Sequence, residues 1–219
     1  MSTSSSKSVK QDSFTVSLTV GAYGIAFGAA AVADHFTVLQ ACLLSLLLFS
    51  GASQFAVVGV MGAGGSAISA IATSTLLGSR NALYGLRLAP ILSHRGIKRA
   101  LGAQITIDES TGVALSQSTN EEMKKGFWYT GIGVFIFWNF FTLLGALGAN
   151  AIGNPSAWGL DAAVPAAFLG LLWPRLKDKK SWGVAESAVM VALALAPFAP
   201  AGVPIISCAI ISVIVGWRE

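Results

Sequence analysis

The feature that most constrains this chain is a succession of long apolar stretches separated by short polar ones. Residues 14–33, 37–61, 67–92, 127–152, 160–176, 182–198 and 203–217 each run almost without charge. A bilayer core of roughly 30 Å is crossed by about 20 apolar residues in a helix. Lipid also forces every backbone N–H and C=O to be paired within the protein, which leaves helices as the spanning element for such runs. The pattern predicts an all-α, polytopic transmembrane helix bundle with six to seven hydrophobic segments. Hydrophobic residues make up 54 % and charged ones 11 % of the chain, against roughly 25 % charge in a soluble domain. Too little polar side chain remains to cover a water-facing surface.

Charge sets an expected orientation. The net charge of +4 is not a nucleic-acid signal, because the basic residues lie in clusters between apolar runs, where they orient the chain and meet anionic headgroups. Arg95, Lys98, Arg99, Lys124 and Lys125 bracket the long loop at about 93–126, and Lys177, Lys179 and Lys180 mark a second loop. Both are expected on the cytoplasmic side of a bacterial-type inner (plasma) membrane, and the C-terminus with them. Residues 1–13, with Lys7 and Lys10, read as a polar cytoplasmic tail, and residues 14–219 as one transmembrane transporter domain. The first apolar run is too long for a secretory h-region and lacks a clear cleavage site, so it reads as a retained span.

The segment 37–61 decides the crossing count. Its middle reads Ser50-Gly51-Ala52-Ser53-Gln54, small and polar within an apolar run. A discontinuous, re-entrant segment gives six crossings and keeps both termini inside; one full helix with a small-residue packing face gives seven. Broken helices at membrane depth line protein cavities and commonly form binding sites in transporters, and the discontinuous reading is preferred here.

Several residues are out of place in lipid. Arg80 sits about two turns deeper in run 67–92 than Arg87, which is close enough to the end to snorkel. A charge near the bilayer centre costs about 2.5–3.5 kcal/mol on insertion scales. Arg80 is therefore either paired at a helix break or a guanidinium fork for a substrate carboxylate. Asp108 and Glu109 follow a moderately apolar stretch, 100–107, that can dock into the bundle and present a proton or ammonium site; the plainer alternative is a solvated loop. Trp138 and Asn139 lie inside an aromatic run, where Asn139 needs hydrogen-bond partners. Gly24 with Gly28, and Gly145 with Gly148, suit close helix packing. Cys42 and Cys208 lie in apolar stretches, with no disulfide or metal-ligand pattern around them. No phosphate-binding loop and no nucleophile–base pair is present in the sequence, so neither a cofactor nor enzyme activity is expected.

Taken in order, Gly51-Ala52-Ser53-Gln54-Phe55, Arg80-Asn81-Ala82-Leu83-Tyr84-Gly85-Leu86, Asp108-Glu109, Trp138-Asn139 with Thr142-Leu143-Leu144-Gly145, and Asn154-Pro155 with Trp158-Gly159-Leu160-Asp161 resemble the AzlC family. The likeness runs from about residue 14 to the C-terminus. That family supplies the large subunit of branched-chain amino-acid exporters. The resemblance implies export of leucine, isoleucine, valine and methionine, driven by the proton gradient, with a small AzlD-type membrane subunit as partner. The family usually carries Arg-His where this chain has Arg80-Asn81, so a proton role for that histidine does not transfer to Asn81. Together these readings nominate Ser53, Gln54, Arg80, Asn81, Trp138 and Asn139 for substrate and Asp108 and Glu109 for the proton or ammonium. An uptake permease or facilitator for another small amphipathic solute, and a non-transport membrane scaffold, are the competing readings.

Overall fold

The computed structural model describes residues 2–152, 162–173 and 176–217. It is all-helical over those residues, with α1 (Ser2–Ala22), α2 (Gly24–Ala33), α3 (Val38–Leu47), α4 (Gly51–Gly62), α5 (Ala67–Leu92), α6 (Ile97–Gln104), α7 (Asp108–Leu115), α8 (Asn120–Ile152), α9 (Ala163–Leu172), α10 (Lys179–Leu195) and α11 (Val203–Trp217). The motif at residues 154–161 lies outside the described residues. Large apolar side chains cover much of the exterior: Leu47 is 76 %, Ile68 80 % and Phe198 89 % exposed. Such a surface is stable against lipid and not against water.

Among the described residues, two helical stretches are by length and hydropathy long and apolar enough to cross a membrane unaided, Ser8–Ala33 and Asn120–Ile152. Both form the centre of the fold. Phe27, Phe55, Val58, Val134, Trp138 and Ala146 pack into one apolar core, and Leu88, Ile105, Ala114 and Phe127 into a second. The expected glycine packing is present between α2 and α8. A Cβ on Gly24 or Gly28 would overlap the Trp138 or Thr142 carbonyl oxygen, and one on Gly145 would overlap the Ile25 backbone. Gly148 touches nothing that a Cβ would meet.

Two segments differ from the sequence reading. Residues 2–13 are helical and continue into the first apolar run as α1, with Val9 and Ser13 buried. An already anchored helix extends without a new nucleation cost, and Lys10 adds a cation–π contact by lying 5.6 Å from the Tyr129 ring centroid. The segment 93–126 is not an open loop but α6, α7 and the first turns of α8. Ile105, Thr106 and Ile107 between α6 and α7 are buried while Ala100, Leu101, Ala103 and Gln104 stay exposed, so only the end of the stretch 100–107 packs into the bundle. Further along the chain, Asp178 caps α10 by accepting hydrogen bonds from the Ser181 amide and hydroxyl at 2.8 and 3.1 Å. The Ser181 amide, foremost, holds the Asp178 carboxyl below its ordinary value.

Candidate functional site: a charged cavity at a helix break

The helix spanning the third and fourth elements is broken. α3 stops at Leu47, the chain passes through Leu48, Phe49 and Ser50, and α4 restarts at Gly51. At 1.5 Å per residue the two pieces are roughly 15 and 18 Å long, each about half of a bilayer core. A break inside the protein frees carbonyls at the end of one piece and amides at the start of the next. The carbonyls are claimed by side chains. Gln54 Nε2 donates to the Leu48 carbonyl at 2.7 Å and more weakly to Ser45 at 3.4 Å, while Gln104 Nε2 donates to Leu46 and Leu47 at 3.0 and 3.3 Å. Trp138 Nε1 in turn donates to Gln54 Oε1 at 3.0 Å. Gln54 is thus fully used as a stitch across the break, and it is completely buried.

The amides are treated differently. No side chain caps α4. Ser50, the N-cap, is 6 % exposed, and its hydroxyl has no hydrogen-bond partner. Beside this end of α4 lies a cavity of about 280 Å³ to which Ser50, Gly51 and Ala52 contribute. Its size sits at the lower edge of the roughly 300–1,000 Å³ typical of small-molecule sites.

Residues distant in sequence converge on that cavity. Leu77, Arg80 and Asn81 reach it from α5, three and four residues apart and therefore on one helix face. Asp108 and Glu109 arrive in the first turn of α7, where the helix dipole favours carboxylates. Arg80 Nη1 lies 3.0 Å from Asp108 Oδ2, with side chains 32 % and 24 % exposed. The remaining wall is apolar and largely aromatic, with Phe49, Phe55, Trp138 and Phe168 prominent. Phe27 holds two of these rings, meeting Phe55 edge-on at 5.4 Å and stacking on Trp138 at 6.2 Å.

Of the residues singled out from sequence, Arg80, Asn81, Trp138, Asp108 and Glu109 line this cavity, and Ser53, Gln54 and Asn139 do not. Ser53 is buried and donates to the Ser74 carbonyl at 3.0 Å, which ties α4 to α5. Asn139 donates to the Phe135 carbonyl of its own helix at 2.8 Å. Ser50, Gly51 and Phe49 were not nominated, although the small polar run beginning at Ser50 was the available signal. On the other side of the break a second cavity, of about 380 Å³, is lined by Ser53, Ser74, Thr75 and Ser79. Phe49, Ser50 and Asn81 border both spaces. Among the described residues no group of three or more His, Cys, Asp or Glu side chains gathers as a metal site requires.

Comparison with known proteins places this architecture. The chain is 29 % identical over 187 residues to the inner membrane protein YgaZ of Escherichia coli, covering 82 % of this chain and 76 % of that one. It is 32 % identical over 155 residues to a membrane protein of Archaeoglobus fulgidus, covering 70 % and 68 %. A membrane protein of Haemophilus influenzae is 27 % identical over 165 residues, covering 72 % and 67 %. No solved structure matches. The family described as AzlC protein matches residues 15–152, which contain the paired helices α2 and α8, the broken helix and every charged residue of the cavity; the chain is a membrane protein of the AzlC family.

Proposed function

We propose that this chain exports branched-chain amino acids (leucine, isoleucine and valine, with methionine as a fourth substrate of similar size) from the cytoplasm, in company with a small AzlD-type subunit and driven by the proton gradient. The observation that carries the reading is one cavity in which fixed charges of both signs face an aromatic wall at a helix break. A branched-chain zwitterion requires a positive or dipolar site, a carboxylate for its ammonium and an apolar slot. Arg80, the start of α4, Asp108 and Glu109, and the rings of Phe49, Phe55 and Trp138 offer those three environments within reach of one small solute. Discontinuous helices whose ends meet substrate are the recurring device of secondary transporters. In the same reading residues 14–219 form one transmembrane domain in the inner membrane, α3 and α4 together form the discontinuous segment, residues 93–126 lie on the cytoplasmic side, and both termini are cytoplasmic.

Flux of labelled leucine tests this. Inside-out vesicles carrying the chain with an AzlD-type subunit should take up leucine when the lumen, which corresponds to the cell exterior, is made acidic so that protons leave as leucine enters, and little when the chain is alone. Equal flux in vesicles lacking the chain, or full activity without the small subunit, overturns the export reading or its partner respectively.

A further inference from the structure

We infer that the start of α4 is a carboxylate-binding subsite of the cavity, built from the Ser50 hydroxyl and the free first-turn amides of Gly51 and Ala52, and that Arg80 serves to position Asp108. The inference rests on the amino-acid reading above and specifies how the solute is oriented. Three observations lead to it. Arg80 Nη1 is already engaged by Asp108 at 3.0 Å, which commits part of the guanidinium to holding that acid. The carbonyls released by the break are all bonded by Gln54 and Gln104, whereas α4 has no capping side chain. The Ser50 hydroxyl, on a residue 6 % exposed and bordering the cavity, lacks a partner.

A serine at an N-cap ordinarily turns its oxygen onto the amide two or three residues ahead. Here it does not, which leaves both the hydroxyl and the amides able to donate to one anion. A helix N-terminus carries about half a positive charge and presents convergent N–H donors. It therefore gives the cavity a positive region separate from the guanidinium that Asp108 engages. A carboxylate held there sends the ammonium of the same molecule toward Asp108 and Glu109 and its side chain toward the aromatic wall. The site selects α-amino monocarboxylates over the corresponding amines and amides.

Binding of labelled leucine to the full chain in lipid nanodiscs, with isocaproate and leucinamide as competitors, is the test. Leucine and isocaproate should compete, and leucinamide should be at least tenfold weaker, since a hydrogen bond to a charged group is lost. Ser50→Ala should weaken leucine and isocaproate roughly tenfold while shifting leucinamide less than twofold. Ser50→Thr, which restores a hydroxyl on a backbone at φ −157° that suits a β-branched residue, should recover part of the loss. Gly51→Pro removes one amide donor at a position where helices accept proline. Gly51→Ala supplies the matching control, because its Cβ would lie 3.2 Å from Trp138 Cη2; proline must cost more than alanine. Leucine binding that is indifferent to Ser50 and Gly51, or leucinamide competing as well as leucine, overturns the inference and leaves the transport reading standing. Ser50-dependent binding of isocaproate without leucine sustains the inference and overturns the amino-acid reading. Binding of none of the three to the wild-type chain overturns both.

Discussion

Arg80 and Asp108 come from helices separated by the whole α6 segment and meet at 3.0 Å, with roughly a third and a quarter of each side chain still exposed. The geometry is that of a single charge-assisted contact, not a two-pronged fork. Removing either partner strands the other in a mostly apolar setting, while removing both does not. A double-mutant cycle of Arg80→Gln and Asp108→Asn, read by thermal unfolding in detergent, should give a coupling of about 1 kcal/mol, modest because water screens a pair this exposed. Strictly additive effects would show that the contact contributes nothing.

The same pair makes a functional prediction. If Arg80 serves by holding Asp108, then lysine, which keeps the charge, should retain leucine affinity within about threefold, and Arg80→Ala should lose transport at normal membrane levels. An arginine that forks the substrate carboxylate would instead lose roughly ten- to a hundredfold with lysine. Substrate titration of flux in the Arg80→Lys variant separates the two.

Gln54 should be the most sensitive residue of the break. Gln54→Leu leaves the Trp138 indole N–H without its partner and takes the side-chain donor from the Leu48 carbonyl, which keeps only the Ser50 amide. The buried orphan costs about 1–3 kcal/mol and the lost bond about 1 kcal/mol more, so the variant should lose about 2–4 kcal/mol of stability. Trp138→Phe removes only one of these bonds and should lose less, about 1–2 kcal/mol. Chemical or thermal denaturation in detergent measures both. A Gln54→Leu variant as stable as the parent would mean that the stitch is unimportant.

The glycine contacts between α2 and α8 predict a contrast between the two glycine pairs. Gly28→Ala places a Cβ against the Thr142 carbonyl oxygen and should destabilise by about 1–3 kcal/mol. Gly148→Ala meets open space and should be neutral or slightly stabilising, since alanine is the better helix former by about 1 kcal/mol. Equal melting temperatures for the two variants would contradict the packing.

Topology is the remaining prediction. Tags placed ahead of residue 14 and after residue 219 should both report the cytoplasmic side, as the basic clusters require under the positive-inside rule. An external N-terminal tag with an internal C-terminal one would replace the discontinuous segment by a full span.

Much of this was legible in the amino-acid order, and the exceptions have a physical pattern. The ends of α5 and α11 coincide with apolar runs because lipid exposure makes hydropathy nearly sufficient as a guide. The break was legible too, but displaced. The polar residues Ser50 to Gln54 open α4, whereas the break itself passes through the apolar Leu48 and Phe49, because the polar groups that satisfy a broken backbone must stand beside it. Gln54 and Ser53 stood out as candidates to touch substrate for the same reason that they are structural: a buried amide or hydroxyl needs a partner, and sequence does not say whether the partner is solute or backbone. The meeting of Arg80 with Asp108, and the role of Gln104, depend on how α6 and α7 fold back, and no local pattern encodes that.

The glycine contacts between α2 and α8 also divide the molecule by mobility. Where backbone meets backbone there are no side chains to repack, so those two helices can shift only by losing the contact altogether. α4 and α5 are joined through the Ser53 hydroxyl, with a void on either side of the Phe49–Ser50 corner. The first pair is a keel and the second a rudder: in the proposed carrier, passage of a solute between the two voids would call for movement of α4 against α5 while α2 and α8 hold their course.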